Sequence, residues 1–337
     1  MVKNTMKKLI SILILSAVLL LTACGAPETS HYEPQDYILE TEWKDDFKIL
    51  QLCDIHLANK DARFRHYDFI DLTIKDADPD MIVLTGDNFT FADKAVAKEL
   101  FDWMNSHKIP WALVWGNHDE QCYFSIDWVT DYLNNLGYFC KFIDHQDDDV
   151  YGNSNYAINL MDGKNIKEQI ILMDSNRYNY GEYWGYDYIK DDQIEWYEDI
   201  VKYTKQQNGG EVVPSIAFFH IPLPEFQTAW DEAAEGNREA KLETGTMGEP
   251  SSCPQVNTGM FDKMLELGST KAICVAHDHI NNSRILYKGI YLSYGVNSDN
   301  RIYYDEDMMG GLLITIHNDN SLDFDPIYHT YEEVAKK

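Results

Sequence analysis

Short apolar runs alternate with amphipathic stretches from Phe47 to the end of the chain. Nine runs have the length and the β-branched or aromatic content of strands: 47–53, 81–86, 111–115, 154–160, 169–174, 215–219, 271–276, 289–294 and 311–316. Amphipathic periodicity predicts helices at 64–77, 93–107, 125–136, 191–207 and 257–267. Because strands and helices alternate in the first half, we expect an α/β fold. Segments 175–190 and 221–255 show neither pattern.

A different pattern stands at the N-terminus. Three lysines, Lys3, Lys7 and Lys8, precede an apolar run from Leu9 to Leu21. The run is too short for a comfortable membrane span and has the length of a signal-peptide core. It ends at Leu21-Thr22-Ala23-Cys24, which resembles the lipobox of bacterial lipoproteins, where the cysteine is lipidated. The alternative is an ordinary secretory signal followed by a chance cysteine.

These features predict three parts of the chain. Residues 1–23 are interpreted as a lipoprotein signal peptide and residues 24–46, which are polar and contain Pro27 and Pro34, as a flexible tether. The globular domain is expected at 47–337. We therefore expect an exported protein that is anchored to the outer face of the cell membrane through a lipid on Cys24.

The composition is strongly acidic, with 56 Asp and Glu against 28 Lys and Arg in 337 residues. Removal of the three lysines in the signal peptide changes the net charge from −28 to 25 − 56 = −31. Such a charge argues against a nucleic-acid polymer as partner and against electrostatic docking on anionic lipid. It also repels phosphate, so a phosphorylated substrate would need a local positive charge.

Five polar motifs each follow directly on a predicted strand. In chain order they are Asp54-Ile55-His56, Gly86-Asp87-Asn88, Gly116-Asn117-His118-Asp119, His220, and His277-Asp278-His279. Because ligands of open α/β sheets bind beyond the carboxyl ends of strands, these side chains are expected to converge. Imidazole, carboxylate and amide donors without a thiolate suit Mn, Fe, Zn or Co. A carboxylate can bridge two such metal ions. Two metal ions would also supply the local positive charge that a phosphorylated substrate needs.

In this order the motifs resemble the signature of calcineurin-like metallophosphoesterases, over about residues 47–300. Three further sequence stretches are similar to one branch of this family, namely 115–119, 219–226 and 256–259. That branch includes plant purple-acid-phosphatase-like proteins and a fungal cell-cycle regulator phosphatase. The resemblance implies a four-layer α/β/β/α sandwich with the site at one edge. It also implies phosphoester hydrolysis by a hydroxide that bridges two metal ions.

The resemblance assigns roles to individual residues. Asp54, His56 and His279 would bind the first metal ion, Asn117, His220 and His277 the second, and Asp87 would bridge them. His118 would stabilise the phosphoryl oxygens or protonate the leaving oxygen, and Asp119 would orient the ring of His118.

The chain departs from related patterns at three positions. Ala276 replaces the usual glycine before His-x-His, which is acceptable if its φ is negative. True purple acid phosphatases have glycine at the position of His56 and a metal-binding tyrosine at the position of Thr90. The purple colour of the tyrosine–iron pair is therefore expected to be absent.

Several features leave two interpretations open. Arg177 could hold a substrate phosphate or pair with an acid. The aromatic residues of segment 178–188 could stack on a base or sugar or pack on the sheet, and segment 225–255 could form a lid. A Cys122–Cys140 disulfide has no support from the spacing. The aspartates of 147–149 are more typical of a solvated turn than of a calcium loop.

The sequence thus predicts a metal-dependent hydrolase of phosphomonoesters or phosphodiesters, with a small phosphoester as substrate. A metal- or phospho-ligand-binding lipoprotein without turnover is the alternative, and the His118-Asp119 pair counts against it. A nucleotide or nucleotide-sugar pyrophosphate is a third option for the substrate. The identity of the metal ions and the oligomeric state are not specified by these residues.

Overall fold

A computed structural model describes residues 32–58, 63–145 and 149–335. The described residues from Pro34 onward form one compact unit. The predicted signal peptide and Cys24 lie outside the described residues, as do Asp147 and Asp148 of the aspartate run. No helix in the described ranges is long and apolar enough to cross a membrane.

The described ranges contain fifteen strands. In chain order they are β1 (Ile38–Glu42), β2 (Phe47–Leu52), β3 (Met81–Thr85), β4 (Trp111–Val114), β5 (Tyr156–Asp162), β6 (Asn165–Leu172), β7 (Tyr178–Asn179), β8 (Gly185–Tyr186), β9 (Ser215–Phe218), β10 (Ala240–Thr244), β11 (Thr270–Val275), β12 (Arg284–Tyr287), β13 (Ile290–Tyr294), β14 (Gly310–Ile316) and β15 (Leu322–Tyr328). All nine predicted strands are confirmed.

The strands form two large sheets and one small hairpin. The larger sheet has eight strands in the order β1-β5-β6-β9-β11-β13-β12-β10, and the smaller has five in the order β15-β14-β2-β3-β4. Strands β2, β3 and β4 are parallel, and so are β6, β9, β11 and β13. Parallel neighbours bring their carboxyl ends to one edge, which is where all five polar motifs begin.

Seven helices flank the sheets within the described ranges. They are α1 (Arg63–Ala77), α2 (Lys94–Ser106), α3 (Ile126–Asn134), α4 (Asp191–Gln207), α5 (Glu225–Ala234), α6 (Met260–Leu267) and α7 (Tyr331–Ala335). Helix α1 packs on β14 and β15, whereas α5 packs on β10 and β12 and α6 on β11. The four-layer α/β/β/α arrangement and the five predicted helices are confirmed.

The apolar core contains side chains of both sheets and of helices α1, α2 and α3, and buried polar side chains join the two sheets at some points. The hydroxyl of Tyr156 in β5 donates to the carbonyl of Leu113 in β4 at 2.8 Å and accepts from its amide at 3.1 Å. Gln51 in β2 donates from Nε2 to the carbonyl of Val275 in β11 at 3.0 Å. These bonds satisfy buried backbone groups and fix the ends of the two sheets relative to each other.

The predicted tether is too long. Residues 38–42 form β1, which pairs in parallel with β5 at the edge of the larger sheet, and Trp43 is buried. The sequence pattern did not predict this strand because polar residues alternate along it. Such a pattern is expected for an edge strand, which pairs with a neighbour on one side and packs on one face only. The folded part therefore begins near Pro34 rather than Phe47.

The two segments without a clear pattern also contain regular structure. Segment 175–190 contains the β7–β8 hairpin, and segment 225–255 contains α5 and the edge strand β10. Cys122 and Cys140 are both free thiols, so the structure has no disulfide between them.

Candidate metal centre

The chain leaves its central strands through sharp left-handed turns. Asp54, His56 and Asp87 have φ between 49° and 53°, and His277 has φ of 78°. Non-glycine residues rarely adopt this conformation, and such residues are concentrated at functional sites. The turns place the side chains of both sheets around one point beyond the strand ends.

The first group of converging side chains is Asp54, His56 and His279. Their nearest ligand atoms all lie within 4.8 Å of one another, and all three residues are buried. Nε2 of His279 is 3.5 Å from Oδ1 of Asp54 and 3.2 Å from Nε2 of His56. Two imidazole nitrogens and one carboxylate oxygen match the donors of a transition-metal site.

The second group is Asp87, His220 and His277, again within 4.8 Å and buried. Nε2 of His220 is 3.2 Å from Oδ2 of Asp87, from Oδ1 of Asn117 and from Nδ1 of His277. Oδ2 of Asp87 is also 3.8 Å from Nε2 of His56. Asp87 therefore lies between the two groups, where a bridging carboxylate has to be.

The hydrogen bonds of the rings show that a cation fits here. Nδ1 of His220 donates to the carbonyl of Thr85 at 3.0 Å, and Nδ1 of His279 donates to the carbonyl of Tyr303 at 2.8 Å. Because a carbonyl can only accept, Nε2 of each ring carries the lone pair in its neutral form. These lone pairs face carboxylate oxygens of Asp87 and Asp54, an arrangement that needs a positive charge between them.

The pKa values of four histidines in the two groups reflect burial and the negative charge of the neighbouring carboxylates. Burial opposes protonation of His220 and His279, but the neighbouring carboxylates Asp87 and Asp54 outweigh it and raise the pKa to about 10 and about 9. Burial lowers the pKa of His56 to about 4 and of His277 to about 3. Burial therefore favours the neutral form of His56 and His277, whereas the carboxylates favour the protonated form of His220 and His279.

Two glycines allow the strand ends to approach this closely. Gly86 has φ of 78°, and a Cβ there would overlap the ring of His220. A Cβ on Gly116 would overlap the amide nitrogen and the carboxylate of Asp87. Only glycine fits at these positions of the Gly-Asp and Gly-Asn-His-Asp motifs.

His118 lies beside both groups without joining either. Its backbone amide donates to Oδ1 of Asp87 at 2.7 Å, and its ring centroid is 5.2 Å from that of His56. Nδ1 of His118 lies 2.8 Å from Oε1 of Gln121. Because that oxygen accepts, Nε2 is the nitrogen left for a substrate.

The expected role of Asp119 is corrected by these contacts. Its Oδ1 accepts from the amide of Phe89 at 2.9 Å, and its Oδ2 accepts from the amide of Gly116 at 2.8 Å and from Asn88 at 3.2 Å. Asp119 thus ties the loop after β3 to the loop after β4, and Gln121 holds the ring of His118. The short helix at Asp119–Gln121 places residue 121 rather than residue 119 beside that ring.

Arg177 pairs with Glu120, which is the second of the two interpretations of its charge. Its side chain is half-exposed and lines a cavity of about 900 Å³ together with Glu120 and Tyr178. The neighbouring aromatic segment is divided. Tyr178 and Tyr186 stack on each other, with ring centroids 5.6 Å apart, whereas Tyr180 and Trp184 are exposed.

Sequence reasoning missed four residues that contact candidate site residues without being part of a motif, namely Gln121, Tyr178, Arg301 and Tyr303. Tyr178 lies in the two-residue strand β7 and Arg301 in a loop, and neither segment is long enough to show a periodicity that marks a position. The aromatic density of segment 178–188 was the available signal for Tyr178. Ala276 lies outside the left-handed region, so its methyl group is accommodated.

Comparison with known proteins agrees with this arrangement. The chain is 30% identical over 284 residues to "Probable inactive purple acid phosphatase 29" of Arabidopsis thaliana, covering 74% of this chain and 71% of that protein. It is 28% identical to phosphatase DCR2 of Saccharomyces cerevisiae, covering 70% of this chain and 44% of that protein.

Solved structures show the same fold. A dimetal phosphatase from Danio rerio superposes with a TM-score of 0.55 at 12% identity, covering 81% of this chain and 94% of that one. The family model of calcineurin-like phosphoesterases matches residues 47–281, which include all seven candidate metal ligands. The chain therefore belongs to the calcineurin-like phosphoesterase family.

Proposed function

We propose that this protein is an active phosphoesterase that hydrolyses small phosphomonoesters or phosphodiesters at a dinuclear metal centre. The observation that carries the proposal is the position of His118 beside both ligand groups, with its backbone held by Asp87 and Nε2 left for a substrate. A site that only bound metal would not need this ring.

The residues divide the chemistry between them. Two bound metal ions would neutralise the phosphoryl oxygens and activate water as the nucleophile. Asp54, His56 and His279 hold one ion and His220, His277 and Asn117 the other, while Asp87 links the groups and anchors the His118 loop. His118 stabilises the phosphoryl oxygens or delivers a proton to the leaving oxygen through Nε2.

The test compares two variants with wild type on p-nitrophenyl phosphate and on bis(p-nitrophenyl) phosphate, with Mn²⁺, Fe²⁺, Zn²⁺ or Co²⁺ added. Asp87→Asn and His118→Ala are expected to keep the fold and to lose at least about 100-fold in kcat/KM. The control is His145→Ala, an exposed histidine in a loop, which should retain activity. Unchanged turnover in both site variants would contradict the proposal.

A non-catalytic role in binding metal or a phosphorylated ligand is the second candidate. It is favoured by one observation, namely that three similar Arabidopsis thaliana proteins are named probable inactive purple acid phosphatases. Flat rates over a panel of monoesters, diesters, nucleotides and pyrophosphates, in a protein that binds two metal ions, would establish it. Turnover of any panel member with loss in Asp87→Asn would exclude it.

Export and lipid anchoring are proposed from residues 1–24. Lysines followed by an apolar run and Ala23-Cys24 support them. Expressed in a bacterium, the wild type should partition into the detergent phase of a membrane extract, whereas Cys24→Ser should not acquire lipid. Lipid attached to both forms, or to neither, would count against lipidation at Cys24.

A further inference from the structure

A short hairpin that carries no metal ligand contacts the second ligand group. In this hairpin, residues 178–186, Tyr178 in β7 pairs with Tyr186 in β8. The hydroxyl of Tyr178 accepts a hydrogen bond from Nδ2 of Asn117 at 2.8 Å. Because this bond fixes the amide nitrogen, Oδ1 of Asn117 is directed toward Nε2 of His220 at 3.2 Å.

The same hairpin also limits the rotation of His277. The ring of Tyr186 meets the ring of His277 edge to face, with centroids 4.4 Å apart. Tyr178 stacks behind Tyr186, so the two tyrosines hold Asn117 and His277 from one side. Within the part of the chain that the structure describes, neither tyrosine has a hydrogen bond or ring contact to Asp54, His56 or His279.

A separate loop, residues 299–303, contacts the first group. The carbonyl of Tyr303 accepts from Nδ1 of His279 at 2.8 Å, and the Tyr303 ring stacks on that imidazole at 4.3 Å. Nη2 of Arg301 donates to the carbonyl of Ile55 at 3.1 Å and to that of His56. Asp299, which is buried, holds Arg301 through an ion pair of 2.7 Å.

We propose that the hairpin 178–186 and the loop 299–303 set the affinities of the two metal ions separately, with Tyr178 and Arg301 as positioning residues. This rests on the proposed dinuclear centre. Tyr178 acts on the second group through the amide of Asn117, and Arg301 acts on the first group through the backbone that carries Asp54 and His56. Loss of a partner that orients a metal ligand weakens metal binding by about 10- to 100-fold.

The test measures Mn²⁺ binding by calorimetry in backgrounds that retain a single group. His279→Ala removes a ligand of the first group and leaves the second, while His277→Ala does the reverse. In the His279→Ala background, Tyr178→Phe should weaken Mn²⁺ binding by about 10- to 100-fold. Arg301→Met should change it by less than about twofold, because the hydrogen bonds of Arg301 go to Ile55, His56 and Asp299 rather than to the second group.

The opposite result is expected in the His277→Ala background, where Arg301→Met weakens binding and Tyr178→Phe does not. Tyr180→Phe and Tyr304→Phe are the matched controls, because both tyrosines are exposed neighbours within or beside the two segments. Electron paramagnetic resonance gives a second readout in the otherwise wild-type protein. Either positioning variant with limiting Mn²⁺ should show more of the uncoupled, mononuclear signal than wild type.

Equal weakening in both backgrounds by either variant would overturn the proposal, because general damage to the fold would explain it. Unchanged Mn²⁺ affinity in both variants would overturn it as well. Where His279→Ala does not fold, Asp54→Asn provides the same background. Lack of phosphoester turnover in a protein with two bound Mn²⁺ ions would contradict the proposed activity but not this inference.

Discussion

Thr90 places its hydroxyl 2.7 Å from Nδ1 of His56. These are the two positions at which the chain departs from true purple acid phosphatases, so the departures are in direct contact. With Nδ1 occupied by Thr90, Nε2 of His56 points at Nε2 of His279, 3.2 Å away. True purple acid phosphatases have glycine and tyrosine at these two positions. In this chain, His56 is a candidate metal ligand and the hydroxyl of Thr90 orients its ring.

Thr90→Val keeps the shape of the side chain and removes this hydrogen bond. We expect the affinity for one of the two metal ions to fall by about 10-fold or more, because His56 loses the group that fixes its ring. Thr90→Ser retains the hydroxyl and should bind both ions like wild type. Calorimetric titration with Mn²⁺ measures both variants, and equal affinities in Thr90→Val and Thr90→Ser would show that the hydroxyl is unimportant.

The iron-loaded protein should be colourless in the region of tyrosine-to-iron charge transfer. Thr90 stands at the position of the coloured enzymes' tyrosine, and Tyr178 uses its hydroxyl to accept from Asn117. A visible spectrum of the Fe-reconstituted protein, recorded against the metal-free protein, checks this. An intense visible band that gives a purple colour would place a tyrosinate on the metal and contradict the ligand groups.

Gln121 and Asp119 are expected to affect different properties. Gln121→Leu removes the acceptor of His118 Nδ1, so kcat should fall about tenfold, the equivalent of one hydrogen bond, with little change in stability. Asp119→Asn leaves a buried amide without an acceptor, so the free energy of unfolding should fall by about 1–3 kcal/mol.

Steady-state kinetics and urea denaturation on the same preparations separate the two effects. If Asp119→Asn instead lowered kcat at unchanged stability, the role that family resemblance assigned to it would be restored.

The buried carboxyl of Glu168 makes stability fall as the pH rises. Burial raises its pKa from 4.5 to about 8, and Lys271 offsets this only in part. Between these values the folded state binds more protons than the unfolded state, so stability decreases from about pH 4.5 to about pH 8. Below this window Glu168 is protonated in both the folded and the unfolded state, so it contributes nothing to the pH dependence of stability.

Glu168→Gln removes this titration. Relative to wild type, the variant should gain stability between pH 5 and pH 8, as measured by urea denaturation at both values. The exposed Glu239→Gln is the control and should show a constant difference from wild type. A constant difference for Glu168→Gln as well would mean that the carboxyl is not neutral in the folded protein.

Gly116→Ala introduces a methyl group where the Asp87 amide and carboxylate already lie. We expect the free energy of unfolding to fall by about 1–3 kcal/mol, with loss of phosphoesterase activity as Asp87 is displaced. Gly137→Ala is the control, since a Cβ there meets open space, although its φ of 104° adds strain. Full activity in Gly116→Ala would show that the loop can shift freely.

The local pattern was sufficient for the central elements. Runs such as 81–86 and 215–219 are buried on both faces, so their apolar character is continuous and independent of their partners. The exposed edge strand β10 has no such continuous apolar run. Four of the five residues of β10 are exposed, and it exists because its backbone pairs with β12.

The sequence by itself determined the set of candidate ligands, because each one follows a buried strand and the donor types are written in the residues. Tertiary structure alone decided how they are used. It brought together residues of both sheets that lie more than 200 positions apart, such as Asp54 and His279. It also placed Gln121, rather than Asp119, in hydrogen-bond contact with the ring of His118. It also brought Tyr178 into contact with Asn117, and Arg301 into contact with the backbone between Asp54 and His56. The reason is physical, since a strand end fixes which atoms reach the edge of a sheet, whereas loop packing fixes which atoms meet there.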